Sequence, residues 1–142
     1  MVAIVSGTPR RLHPLHAALL AFTIPLFVGG LISDLAYWSS FHVQWANFSS
    51  WLIAGGLFVG AFVVLWAAFF LFRRQTAQNR RPILYFVVLL AMWVLGFVNA
   101  LVHAKDAWAT MPEGLYLSAI TTLLAVLAVW IGFSGFRDGE VR

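Results

Sequence analysis

Apolar residues fill four long stretches of this chain, and polar residues gather in the gaps between them. The stretches run roughly from Leu15 to Trp38, Ala46 to Phe72, Pro82 to Val102 and Leu115 to Gly135. Each is near the ~20 residues that a helix needs to cross a bilayer core. Backbone groups in hydrocarbon must be satisfied within their own segment, so runs of this length predict helices. The pattern therefore predicts an all-α integral membrane protein, with one four-helix domain over residues 1–142. Short connections make sequential helices antiparallel neighbours, which gives an up-down-up-down bundle. Pro14 suits the first turn of a helix, and Pro25 predicts a kink in the middle of the first one. Ser39 to Trp45 is the predicted first connection. Ala104 to Gly114, which contains the turn-like Met111-Pro112-Glu113-Gly114, is the third.

Charge orients these helices. Arg10/Arg11 precede the first span, Arg73/Arg74 and Arg80/Arg81 lie between the second and third, and Arg137/Arg142 follow the fourth. The first and third connections hold only one basic residue between them, Lys105. That asymmetry predicts both termini on the cytoplasmic side, N-in and C-in, in a multi-pass protein of the bacterial inner membrane. Trp38, Trp45, Trp51, Trp108 and Tyr116 gather at the outer boundary as an aromatic belt. Composition agrees, with 62% hydrophobic and 10% charged residues and a mean hydropathy of +0.89. The net charge of +4 comes from short basic pairs that flank apolar spans. These read as topology anchors that meet anionic lipid, not as a nucleic-acid surface. The chain has no cysteine, which excludes disulfides, thiolate metal sites, Fe–S ligation and covalently attached haem. The first apolar run is too long for a signal-peptide core and lacks a small-x-small cleavage pattern, so it is read as retained.

Within the spans, polar residues fall on faces. Asp34 follows His16 by eighteen positions, which closes five helical turns, and Thr23 and Gly30 lie near the same stripe. Asp34 is within about one turn of the outer end. It is therefore readable either as a solvated or capping carboxylate or as a functional charge. Gly96, Asn99, His103 and Asp106 share a face at the outer end of the third helix, and Ser118, Thr121 and Thr122 do so at matching depth in the fourth. Asp34, His42, Asn47 and Ser50 complete an outer polar cluster, which reads as an interhelical hydrogen-bond network or as a site.

The histidines divide by side. His13 and His16 are cytoplasmic, at i and i+3, whereas His42 and His103 are outer. Two histidines from different helices at one depth are the minimum geometry for a bis-His haem b or another metal. This makes His103 and His42 the candidate iron ligands, with Asn99 and Asp34 beside them. Glycines 55, 56, 60 and 96 leave room for a flat macrocycle. His16 is roughly 27 Å along the helix from Asp34 at ~1.5 Å per residue, so His13 and His16 form an alternative site. Gly56 and Gly60 stand at GxxxG spacing, which permits close approach of another helix. There is no phosphate-cradling glycine loop, nucleophile elbow or HExxH motif.

The opening His13-Pro14-Leu15-His16, with Ala17 to Leu26 and later Asp34-Leu35, resembles the DUF2231 family of bacterial predicted membrane proteins. Members have four spans, an HPxH start, an F-x-I/P segment and an aspartate near the end of span 1. Trp130-Ile131-Gly132-Phe133-Ser134-Gly135 is similar to the family's Gly/Trp-rich last span. The third helix departs from the pattern. The family carries a histidine and asparagine near its start, where this chain has Pro82-Ile83-Leu84-Tyr85, and the nearest such pair, Asn99 and His103, stands at the opposite end. The resemblance implies the fold and singles out His13, His16 and Asp34. It also implies company with membrane-linked redox proteins. Two functions are expected on these grounds. One is a haem b module that passes electrons between an outer-side donor and quinone. The other is a non-catalytic subunit that anchors a protein partner or a second copy through the Gly56/Gly60 face. Loops this short do not build a pocket for a stand-alone enzyme.

Overall fold

The computed structural model describes residues 12–73 and 80–134. Arg10, Arg11, Arg74, Arg137, Arg142 and the Gly135 end of the fourth span lie outside them. The described residues are helical: α1 (Pro14–Ser40), α2 (Val43–Arg73), α3 (Arg80–His103), a single turn of 3-10 helix over Ala107–Ala109, and α4 (Glu113–Ser134). Each of the four long helices has the length and apolarity to cross a membrane. Helical structure outruns the apolar stretches at nearly every end, because backbone hydrogen bonds continue past the last apolar residue. The predicted connection from Ser39 to Trp45 shrinks to Phe41 and His42. Phe41 adopts the left-handed conformation (φ 54°) and caps α1 by donating its N–H to Tyr37 O. At the other end Pro14 occupies the first turn, and His13 Nδ1 accepts the Leu15 N–H at 3.3 Å. α1 continues through Pro25 as one helix.

Buried positions repeat at alternating steps of four and three. The repeat runs through 16, 20, 23, 27, 30, 34 and 37 in α1, with Ser33 buried beside it; 46, 49, 53, 56, 60 and 63 in α2; 89, 92, 96 and 99 in α3, with Val102 buried beyond it; and 114, 118, 121, 125 and 128 in α4. That spacing is the seam of a left-handed bundle with knobs-into-holes packing. The helices pack in the ring α1–α2–α3–α4–α1, so α1 faces α3 across the bundle axis. Large and small residues alternate across the axis. Phe27 fills the layer left open by Gly56 and Gly96, and a Cβ at Gly56 would sit 2.9 Å from two Phe27 ring carbons. Leu20, Val63, Leu89, Met92, Ala125 and Ala128 cluster with Phe27 as the apolar core.

This packing corrects one expectation. Gly56 and Gly60 are buried inside the bundle, against Phe27 and against Met92 and Trp93 respectively, so they do not form an outward face for a partner. Their missing side chains let α2 close on α1 and α3. The outward surface is instead large and apolar, with Phe22, Phe58, Leu65, Phe72, Leu123 and Trp130 all exposed, as lipid solvation requires.

Candidate functional site

One polar cluster draws on all four helices, at the end of the bundle away from Arg73, Arg80 and Arg81 (the loop end). Asp34 is 0% exposed. Its Oδ1 lies 2.8 Å from His103 Nε2, and its Oδ2 accepts the Ser118 hydroxyl at 2.5 Å. Ser118 Oγ in turn accepts Asn99 Nδ2 at 2.8 Å. His103 Nδ1 stands 3.0 Å from Asn99 O. A carbonyl only accepts, so Nδ1 carries a proton, and the exchangeable position is Nε2 facing the carboxylate. Ser49 donates to Gly30 O at 3.1 Å and presents its lone pairs 3.4 Å from the same Nε2. The His103 side chain is 1% exposed. Gly114 allows its position, since a Cβ there would stand 2.8 Å from His103 Cε1.

The environment decides what this arrangement does. A carboxylate in hydrocarbon is stable only if its oxygens are paired. Asp34 has a cationic or proton-sharing partner on one oxygen and a hydroxyl on the other. From the loop end a recess of about 160 Å³ reaches His103, lined also by Asn47, Ser50, Lys105 and Thr110. At this end Lys105 and Glu113 form an exposed ion pair at 3.9 Å. What the arrangement offers chemically is one hydrogen bond between two ionisable side chains, both closed to solvent.

The expected site residues separate into two groups. Asp34, Gly96, Asn99, His103, Ser118 and Thr121 converge as the helical faces predicted. Asp34 is enclosed and is not a solvated cap. Asp106 leaves the stripe, because α3 ends at His103 and Asp106 is exposed. His42 and Asn47 are exposed, and Ser50 bonds back to Ala46 O within α2. His42 lines a surface groove with Trp45, Phe48 and Trp51, whereas His103 lines the adjoining recess. Both nitrogens of His103 are engaged within the protein, so in this arrangement it has no lone pair to offer iron. A haem ligand set of His103 and His42 does not fit the residues as they stand.

Two contributors escaped the sequence reading. Ser49, rather than Ser50, faces the axis. Ser49 lies seven residues before Gly56, and the two share a seam once Gly56 is seen to face the axis. Tyr85 is the other. Its hydroxyl is 2.9 Å from His16 Nε2, and it precedes His103 by eighteen positions, the same interval that separates His16 from Asp34. α1 and α3 run parallel across the axis, so the two helices carry two diagonal clamps in register. His16 is 2% exposed. The His13 and His16 rings lie against Trp66, with centroids at 5.2 and 5.8 Å.

Four membrane-length helices closed around a buried carboxylate–imidazole pair define a polytopic membrane protein with an ionisable centre. Residues 12–138 match the family DUF2231, described as "Predicted membrane protein", and this chain belongs to that family. The match extends well beyond the first helix, to all four spans. No curated protein and no solved structure matches.

Proposed function

We propose that this protein is a membrane module whose working centre is a proton-binding site, the Asp34–His103 pair, served from the loop end. One observation supports the reading above others: a wholly buried carboxylate with its oxygens taken by His103 Nε2 at 2.8 Å and Ser118 Oγ at 2.5 Å. Intramembrane ionisable residues that face a bundle interior and pair with one another are a mark of ion pathways and proton relays. One exchangeable proton lies between Nε2 and Oδ1. Ser118 and Asn99 hold the carboxylate in place, and the Asn99 carbonyl holds the imidazole tautomer. Gain or loss of that proton changes the buried charge by one, which gives the bundle a reason to change shape or to signal to an attached protein. An N-in/C-in orientation, which the flanking basic residues favour, would put the recess at the outer face of a bacterial inner membrane.

Histidine-selective ¹⁵N NMR on the full chain in nanodiscs tests the reading. His103 is expected to exchange its Nε2 proton with bulk as pH is varied, and Asp34→Asn is expected to move that titration. A His103 signal that keeps one protonation state throughout, unmoved by Asp34→Asn, would reject it. Electron transfer through haem b at His103 and His42 competes. It requires His103 to exchange Asp34 for iron and His42 to turn inward from its surface groove. Protein from cells supplied with haem is expected to lack Soret and α bands after dithionite. Bands abolished by His103→Ala and retained in His13→Ala would establish the haem reading instead. The accessory-subunit reading is compatible with a proton site, with any partner meeting a surface other than Gly56/Gly60.

A further inference from the structure

The polar chain does not stop at Ser118. Two of its oxygens, Asn99 Oδ1 and Thr121 Oγ1, are buried without a hydrogen-bond partner, and both residues are 0% exposed. Helix direction brings them together. α3 and α4 are antiparallel, Asn99 pairs with Ser118 through Nδ2, and one turn toward the arginine end Thr121 packs on Gly96, its methyl 3.3 Å from where a Cβ would lie. Helical side chains lean toward their own N-terminus. Asn99 therefore leans down toward Thr121, and Thr121 leans up toward Ser118. The two side chains thus lean toward each other across the layer between Gly96 and Asn99.

We propose that Asn99 Oδ1 and Thr121 Oγ1 hold one internal water between α3 and α4. Its O–H donates to the amide oxygen and its lone pair accepts the threonine hydroxyl. A single water supplies the complementary functions that both atoms lack, and buried waters are held by two to four such polar partners. The site lengthens the hydrogen-bonded chain to Asp34–Ser118–Asn99–water–Thr121 and ends it at the Phe27 layer. Below that layer lies the apolar core, with Leu20, Val63, Leu89, Met92 and Ala128 all closed to solvent. The proposed water is an internal terminus for the chain. Its relevance to proton storage rests on the proton-binding reading of Asp34, whereas its existence does not.

The sign of one stability change tests it. Thr121→Val keeps the shape and removes the hydroxyl. An orphaned hydroxyl costs free energy, so its removal without a water would leave the melting temperature unchanged or raise it. With the water, Thr121→Val strands Asn99 Oδ1 and is expected to lower the melting temperature of the full chain in nanodiscs by roughly 3 °C, and Thr121→Ser is expected to restore most of the loss. A water–Asn99 side-chain amide cross-peak, present in the wild type and absent in Thr121→Val, is the second measurement, and it holds even if the variant is too unstable to melt cleanly. A rise or no change in melting temperature, or no cross-peak in the wild type, overturns the site. So does stabilisation by sodium chloride that choline chloride fails to give, which would make the guest a cation. The His103 titration is read separately, so failure of the proton reading and failure of the water site are distinguishable.

Discussion

Asp34→Ala removes the acceptor for two donors at once, His103 Nε2 and Ser118 Oγ. Breaking a buried charged pair in soluble proteins costs roughly 3–5 kcal/mol. Interhelical hydrogen bonds within membranes are weaker, averaging ~0.6 kcal/mol with maxima near ~1.7. Two bonds at that maximum come to about 3.4 kcal/mol, which meets the lower end of the soluble range. Asp34 is 0% exposed and the His103 side chain 1%, so the upper membrane value applies and the expected loss is about 3 kcal/mol. Asp34→Asn retains an acceptor for Nε2 and should lose about half as much. The assay is reversible unfolding in mixed micelles at fixed pH, followed by tryptophan fluorescence. A double-mutant cycle with His103→Ala isolates the pair, with a coupling of about 1–2 kcal/mol expected. A solvated carboxylate would change stability by no more than ~0.5 kcal/mol. A loss that small, or strictly additive single variants, would refute the claim that Asp34 is an enclosed partner of His103.

Two further outcomes follow from packing and topology. Gly56→Ala drives a Cβ to 2.9 Å from the Phe27 ring and should cost ~1–3 kcal/mol. Gly55→Ala meets only Leu26 at 3.6 Å and should be neutral or gain up to ~1 kcal/mol from helix propensity; the reverse order in the same unfolding assay would contradict the layer assignment. The chain has no native cysteine, so single cysteines report sidedness. Those at Ser40 and Met111 should react with an impermeant thiol reagent in intact cells, and one at Gln78 only after permeabilisation. Reversed labelling would turn the His103 recess to the cytoplasm.

The sequence alone determined the architecture, because the bilayer constrains it so strongly. Hydrocarbon admits only internally bonded backbone, so four apolar runs near twenty residues leave no alternative to four helices. Periodicity also determined most of the site. Asn99 and His103 on one face, Ser118 and Thr121 on another, and Asp34 in register with His16 are all readable from residue spacing, since a helix fixes which positions share a side. Spacing within one helix, however, is silent about the rotation of that helix against its neighbours. That rotation decided whether Ser49 or Ser50 meets the axis, and whether Gly56 and Gly60 face Phe27 or a partner. It brought Tyr85, a residue without a motif, to His16. Depth was equally out of reach. His42 and His103 stand at the same end of the bundle, yet α1 ends in a left-handed Phe41 and places His42 on the surface, while α3 carries His103 inward onto Asp34. A histidine's chemistry depends on what its two nitrogens meet, and those partners come from other helices, which only the folded bundle brings together.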